Sequence, residues 1–180
     1  RDGSNALLRR HVYGAKRIAQ WYERFGETLS KDLSLHMQLT QILNDDFVDS
    51  ILRNPAYVVC ASTDYRVLNQ WRNYASTSGV AVRLDPHAEL IPADPPMMAG
   101  FIFLPQWVTV AYQPDEQDDR IQRVLESITS GQIKPALDSP GAAAANKLIR
   151  GLLAALAASM KDSAYTEEKE VRLIAYLPED

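Results

Sequence analysis

The apolar positions of the chain repeat with helical spacing in its first third and with strand and helical spacing alternately thereafter. Ser4 or Asn5 is suited to cap a first helix, and Leu7, Leu8, Val12, Ile18, Trp21, Tyr22 and Phe25 continue it to about Phe25, with Gly26 as its stop. Its other face carries Arg9, Arg10, Lys16, Arg17 and Arg24, and a basic face of this kind is most often simply solvated. After Ser30, the run Asp32–Arg53 repeats Leu35, Leu39, Ile42, Leu43, Phe47 and Ile51 as a second helix. Asn54-Pro55 ends it, because a residue before proline is pushed out of the helical region. Tyr57–Ala61 has the β-branched and aromatic content of a buried strand. Asp64 is placed to cap a helix over Tyr65–Ala75, and Ser76–Gly79 then turns the chain. Val80, Val82 and Leu84 alternate with Ala81 and Arg83, which predicts a half-buried strand. Pro86–Gly100, with prolines at 86, 92, 95 and 96, reads as an irregular loop, either a lid or a surface excursion.

Trp107–Tyr112 is the third predicted strand. Pro114, Asp115 and Glu116 open a helix that ends near Gly131. Asp138-Ser139-Pro140 opens another through Leu148, Leu152, Leu153 and Leu156, and Val171–Tyr176 is the last strand. This order predicts an α+β fold: a small mixed or antiparallel sheet with flanking helices and a two-helix N-terminal extension. The extension covers residues 1–55 and the α+β domain residues 56–180, in a single globular unit.

Composition narrows the function classes. The 180 residues suffice for one domain with a real core. Nineteen basic against 23 acidic side chains, a net charge of -4, speak against a broad electrostatic footprint for nucleic acid. The single cysteine, Cys60, excludes an internal disulfide framework and fits a reducing compartment. No apolar run reaches the ~18 residues needed to span a bilayer. No signal peptide is visible in a chain that begins at Arg1. The expectation is a cytoplasmic protein without a membrane partner.

The densest charge lies at Glu168–Arg172. Strand alternation places Val171, Leu173 and Ala175 on one face, able to enter the core, and Glu168, Glu170 and Arg172 on the other. One reading is an edge strand whose charges discourage pairing, with Arg172 bridging the glutamates. The other is a cleft in which Arg172 keeps a carboxylate ionised to accept hydrogen bonds from a sugar hydroxyl. Trp71 and Tyr74 share a helix face, a spacing found more often in cores than in ligand platforms. Ser62 and Thr63 close the first strand, where such residues more often shape turns than do chemistry. Cys60 reads as an inert buried thiol. His11, His36 and His87 lack ligand spacing, so no metal is expected. No phosphate loop, dinucleotide glycine pattern or serine elbow is present.

Three features resemble the bacterial family catalogued as domain of unknown function 2971, over Tyr57 to Tyr176. These are Cys60-Ala61-Ser62 at a strand end, Trp71-Arg-Asn-Tyr74-Ala75 followed by Gly79-Val80-Ala81-Val82, and Lys161 with Tyr165, Glu168, Glu170 and Arg172. Val110-Ala111-Tyr112 also fits. The family's opening Lys-Tyr strand and Asn-Asp-Pro-Phe turn are not found; Asn44-Asp45-Asp46-Phe47 lacks the proline. A looser likeness, to ADP-ribosyltransferases, rests on Ser62-Thr63 and Glu168-Lys169-Glu170 in that order. It implies NAD as substrate, with no metal. Glu170 would hold the nicotinamide ribose hydroxyl and stabilise the cationic transition state, and Glu168 would orient the acceptor. Ser62 and Thr63 would shape the pocket, Trp71 or Tyr74 would stack on nicotinamide, and Arg172 would complete the binding set. Of the first-strand residue such enzymes use, only Arg10 and His11 are candidates by type, and both sit in a predicted helix. The likeness implies a toxin or phage-defence effector with a small-molecule or macromolecular acceptor. The alternatives are a non-catalytic module holding a small ligand or peptide, and an interaction domain whose N-terminal helices pair with a partner.

Overall fold

The computed structural model describes residues 3–29, 33–44, 47–49, 57–68, 71–72, 79–85, 97–98, 101–102, 106–129 and 142–175. The Ser30 and Asn54-Pro55 boundaries, most of Pro86–Gly100, Gly131, the Asp138-Ser139-Pro140 start and Tyr74 lie outside the described residues.

The fold is α+β, with a three-stranded antiparallel sheet and flanking helices. Helix α1 spans Gly3–Leu29 and buries Ala15, Ile18, Trp21 and Tyr22, one stripe at helical spacing. Helix α2, Leu33–Ile42, buries Leu39 and Ile42. The two are tied where the Tyr22 hydroxyl lies 2.9 Å from His36 Nδ1 and the rings stack at 5.7 Å. The second helix is shorter than the predicted Asp32–Arg53. Its regular part stops at Ile42, and helical backbone resumes only at Phe47–Asp49. The Phe47 amide bonds to the Asn44 carbonyl at 2.9 Å, a tighter turn than an α-helix makes. That turn returns Phe47 to the core, where it is fully buried.

Strand β1 is Tyr57–Ser62. Met97–Met98 (β2) and Phe101–Ile102 (β3) form a separate two-stranded hairpin, so part of the predicted loop is regular. Strand β4 is Gln106–Thr109. Helix α3, Pro114–Thr129, carries Asp115 and Glu116 in its first turn, as the positive end of its dipole favours. Helix α4 is Ala142–Ala158, a 3₁₀ helix follows at Ser163–Glu168, and β5 is Glu170–Ala175. Among the described residues, no helix is long and apolar enough to cross a membrane.

The sheet order is β1-β5-β4. The last strand in sequence is therefore the middle one, which rules out the edge-strand reading of Glu168–Arg172. Among the described residues, strand β1 is an edge of this sheet. That explains why Cys60, expected to be buried, is exposed. The predicted strand at Val80–Leu84 is also corrected: those residues have no regular structure and are exposed.

One core joins Ile18 and Trp21 of α1, Leu39 of α2, Ile121 and Leu125 of α3, and Ile149 and Leu153 of α4. The N-terminal helices thus pack on the same apolar surface as the later ones. The approach of α1 to α4 is close. A Cβ added to Gly14 would lie 2.1 Å from the Ala157 carbonyl oxygen, which is backbone and cannot rotate away. Gly14→Ala is therefore expected to destabilise the protein by about 2 kcal/mol or more, read as a lower urea midpoint. Deleting residues 1–29 is expected to abolish cooperative unfolding in the same assay, since it uncovers the core; a cooperative transition in the truncated chain would count against a shared core.

Candidate functional site

Strand β5 presents a buried face of Glu170, Arg172 and Ile174 and a half-buried face of Val171, Leu173 and Ala175. This inverts the sequence expectation, which sent Val171, Leu173 and Ala175 into the core. The reason lies in what covers the sheet. Ile174 packs with Ala158 and Ala155 of α4, and the C-terminal end of α4 arrives above Arg172. The Arg172 guanidinium donates through Nη1 to the carbonyl of Ala158, the last residue of α4. A helix C-terminus leaves such carbonyls without helical partners and carries partial negative charge, so a cation suits it. Arg120 serves the same end, with Nη1 donating to the carbonyls of Thr109 at 2.8 Å and Ser159 at 3.2 Å.

Around Arg172 four charges neutralise one another. Arg172 Nε donates to Glu170 Oε1 at 3.0 Å and Nη2 to Glu170 Oε2 at 3.1 Å, a two-pronged pair. Lys161 Nζ donates to the same Oε2 at 3.1 Å and also to Glu168 Oε2. Glu170 is 4% exposed and Arg172 1%. The Cys60 thiol supplies a further hydrogen bond to Glu170. It reaches from β1, where Cys60 stands opposite Arg172 in the strand register. Burial pushes the Glu170 carboxyl up. The hydrogen bonds and charge of Arg172, the Cys60 thiol and the charge of Lys161 outweigh that and hold it at about 2. Glu170 is thus ionised at neutral pH. The Lys161 ammonium also lies 4.6 Å from the centre of the Tyr165 ring, which is half exposed.

Backbone and side chains fix this cluster from several elements. The Tyr112 hydroxyl accepts the Glu170 N–H at 3.0 Å, and burial raises its own pKa. Gln117, fully buried in the apolar stripe of α3, donates through Nε2 to the carbonyls of Ala111, Tyr112 and Lys161 at 3.0, 3.2 and 2.9 Å. Its Oε1 accepts from Tyr13 at 3.2 Å and Arg17 Nε at 3.1 Å, which ties α1 to the same point.

The structure places the sequence-derived residues as follows. Ser62 stands opposite Glu170 in the register, and its hydroxyl donates to the Glu168 carbonyl at 2.9 Å. The Thr63 amide bonds to the Lys169 carbonyl at 3.0 Å, and its hydroxyl reaches the same oxygen at 3.3 Å. Ser62 and Thr63 thereby hold the Glu168-Lys169 turn, in which Lys169 adopts the left-handed region at φ 46°. Lys169 Nζ meets Asp64 Oδ2 at 3.2 Å, and hydrogen bonds from Arg66 and Lys169 hold the Asp64 carboxyl well below its ordinary range. Glu168 and Glu170 share Lys161, while Arg172 is spent on Glu170 and Ala158. Trp71 is half buried, with Nε1 donating to the Tyr65 carbonyl at 2.7 Å, and it makes no described hydrogen bond to the charge cluster. Tyr74 lies outside the described residues.

Sequence reasoning passed over Lys161 as a charge partner, Gln117 and Tyr112 as supports, and Cys60 as a group at the site. A glutamine inside the i, i+4 apolar stripe Gln117–Ile121–Leu125 is a signal for a buried polar support. Once strands pair, the register alone places Cys60 beside Arg172.

An α+β domain with an ion cluster buried between a central antiparallel strand and a helix C-terminus is the class that fold and site define. The chain belongs to the family described as protein of unknown function (DUF2971), whose model matches residues 70–173, more than half of the chain. No curated protein and no solved structure matches it.

Two outcomes test the cluster. Arg172→Leu leaves buried carboxylate charge without its main partner and is expected to cost about 3–5 kcal/mol of stability, read from denaturant unfolding at pH 7. Glu170 has a lowered pKa in the folded chain, so its stabilisation is complete above the ordinary value of 4.5 and is lost as the pH falls toward 2. Unfolding free energy should therefore drop with falling pH across that window, and Glu170→Gln should flatten the slope there.

Proposed function

We propose that this chain is an NAD-dependent ADP-ribosyltransferase-like enzyme whose site lies where the end of β1 meets the start of β5. The observation that carries the reading is the juxtaposition of Ser62 with Glu170, a carboxylate kept ionised beside an exposed strand end. In the reaction the N-glycosidic bond of NAD breaks and nicotinamide leaves with the bonding electron pair. The ribosyl carbon takes a new pair from an acceptor nucleophile, which releases its proton to solvent. Positive charge develops on the ribose, and a fixed anion aimed at it lowers the barrier. Glu170 suits that role better than the role of a base, because a carboxyl group with a pKa of about 2 has little affinity for a proton. Arg172 and Lys161 act through Glu170 by holding it in place. Glu168 orients the acceptor, and a ribose hydroxyl takes the position on Glu170 that the Cys60 thiol occupies in the free protein. Trp71 or Tyr74 supplies the stacking surface for nicotinamide. The biological setting that goes with this chemistry is a toxin or phage-defence effector in the cytoplasm.

A second reading is favoured by the pairing of Glu170 with Arg172, Lys161 and Cys60, which leaves little acceptor capacity for a ligand. In that reading the cluster is a structural pin in a non-catalytic domain that binds a small ligand or protein.

The two separate in one experiment. NAD is incubated with the full chain and released nicotinamide is measured by mass spectrometry, alongside Glu170→Gln and Cys60→Ala. The enzyme reading expects nicotinamide release, a loss of at least about a hundredfold in Glu170→Gln, and tighter NAD binding in Cys60→Ala, whose fold is unchanged. Absence of both NAD binding and turnover in wild type and Cys60→Ala would overturn it.

A further inference from the structure

The C-terminal turns of α1 and α3 meet at a cavity of about 210 Å³. Trp21, Phe25, Thr28 and Leu29 line it from α1, and Gln122 and Glu126 from α3. None of these residues belongs to the Glu170 cluster. The centroids of the Trp21 and Phe25 rings lie 5.2 Å apart and the rings are tilted by 49°, so they form two walls rather than a flat stack. Trp21 is fixed in the core at 6% exposure, while Phe25 is 44% exposed. An aromatic ring left partly in water beside an open cavity is apolar area that a ligand can cover.

The electrostatics of the cavity have one sign. A helix C-terminus carries partial negative charge on carbonyls without helical partners, and a nearby cation is stabilising. Two such ends converge here, and neither α1 nor α3 has a basic residue in its last turn. Among the described residues the lining holds one formal charge, the Glu126 carboxylate. Its Oε1 accepts from Gln122 Nε2 at 2.8 Å, a neutral donor that positions the carboxylate without compensating its charge. Arg123, the nearest cation along α3, donates Nε to the Asp119 carbonyl one turn back. The Thr28 hydroxyl is engaged within its own helix, donating to the Phe25 carbonyl at 2.7 Å.

We propose that this cavity binds a small methylated ammonium compound of the choline type. A quaternary ammonium carries a full positive charge but no N–H, so its burial needs no set of hydrogen-bond acceptors. That suits walls made of Trp21, Phe25 and Leu29, which offer apolar and aromatic surface. The methyl groups contact those walls, and the charge meets the aromatic rings, the Glu126 carboxylate and the two helix ends. A primary ammonium is a poorer fit, because its three donors would lose water against few acceptors. An anion meets the wrong sign from both helix ends and from Glu126. The volume limits the size: clefts for drug-sized molecules run to about 300–1,000 Å³, so this one takes a single compact cation.

The test is titration of the full chain with choline chloride at constant total chloride, followed by the NMR shifts of the Trp21 indole N–H and the Phe25 amide. Saturable shifts are expected below about 10 mM choline. The neutral analogue in which carbon replaces the nitrogen of choline has the same shape without the charge, and it is expected to bind at least about tenfold more weakly. Glu126→Gln removes the carboxylate and Phe25→Leu removes a ring while keeping an apolar side chain; each is expected to lower choline affinity about tenfold. Both positions are exposed, so the urea midpoint is expected to move little and reports an intact fold. Absence of saturable shifts in the wild-type chain would overturn the proposal. So would equal affinity for the neutral analogue, or an affinity that neither substitution changes. Binding that appears only in Lys31→Gln would assign the place to the chain's own next cation in sequence, and would overturn it as well.

Discussion

The shared pairing of Lys161 and Arg172 with Glu168 and Glu170 is the constraint on which the rest of the structure turns. Removing each of these charges from water costs several kcal/mol, and only close mutual contact and hydrogen bonds offset that cost. The four therefore hold as a unit or fail as a unit. Their contacts reach from the middle strand of the sheet to the C-terminal carbonyl of α4, and from the loop after α4 to the 3₁₀ helix before β5. Ser62 and Thr63 then close the turn between Glu168 and Glu170 from the neighbouring strand.

The other half is held by a different force. Between α1, α3 and α4 the buried core is apolar, with an ion pair of Arg17 and Asp118 at 2.6 Å beside it, and small residues set the distance: Gly14 meets the Ala157 backbone directly. Gln117 joins the two regimes. It lies in the apolar stripe of α3, yet its amide serves carbonyls at the end of the β4 segment and at Lys161. A fully buried glutamine is tolerable only when both ends of its amide are satisfied, and here Tyr13 and Arg17 satisfy the oxygen.

Much of this was legible in the sequence, and the failures share a cause. The apolar spacing through Ile18, Trp21 and Tyr22 predicts α1, although the helix runs past the expected stop at Gly26 to Leu29, and the Pro114-Asp115-Glu116 start predicts α3. The alternation in Glu170–Ala175 predicted a strand but assigned its faces backwards. Periodicity separates two faces without saying which is buried, and polar groups that neutralise one another can be buried too. The periodic spacing from Leu35 to Ile51 predicts too long a second helix, because it continues through a turn that the Asn44–Phe47 hydrogen bond shows. The apolar neighbourhood of Cys60 predicts an interior thiol, whereas its exposure follows from the place of β1 at the end of the sheet among the described residues, set by pairing with residues more than a hundred positions away.

That placement of Cys60 decides how the cluster can meet a ligand. Glu170 receives hydrogen bonds from Arg172, Lys161 and Cys60. The cations cannot leave without stranding buried charge. The thiol can, because it sits on an exposed edge strand and S–H is a weak donor. A hydroxyl that replaces it exchanges a weak hydrogen bond for a charge-assisted O–H···O⁻ bond of about 1.5–3 kcal/mol. The exchange is favourable without any rearrangement of the ion cluster. A ligand that presents only apolar surface or an acceptor gains nothing there. The chemistry of this corner therefore favours a hydrogen-bond donor over an acceptor.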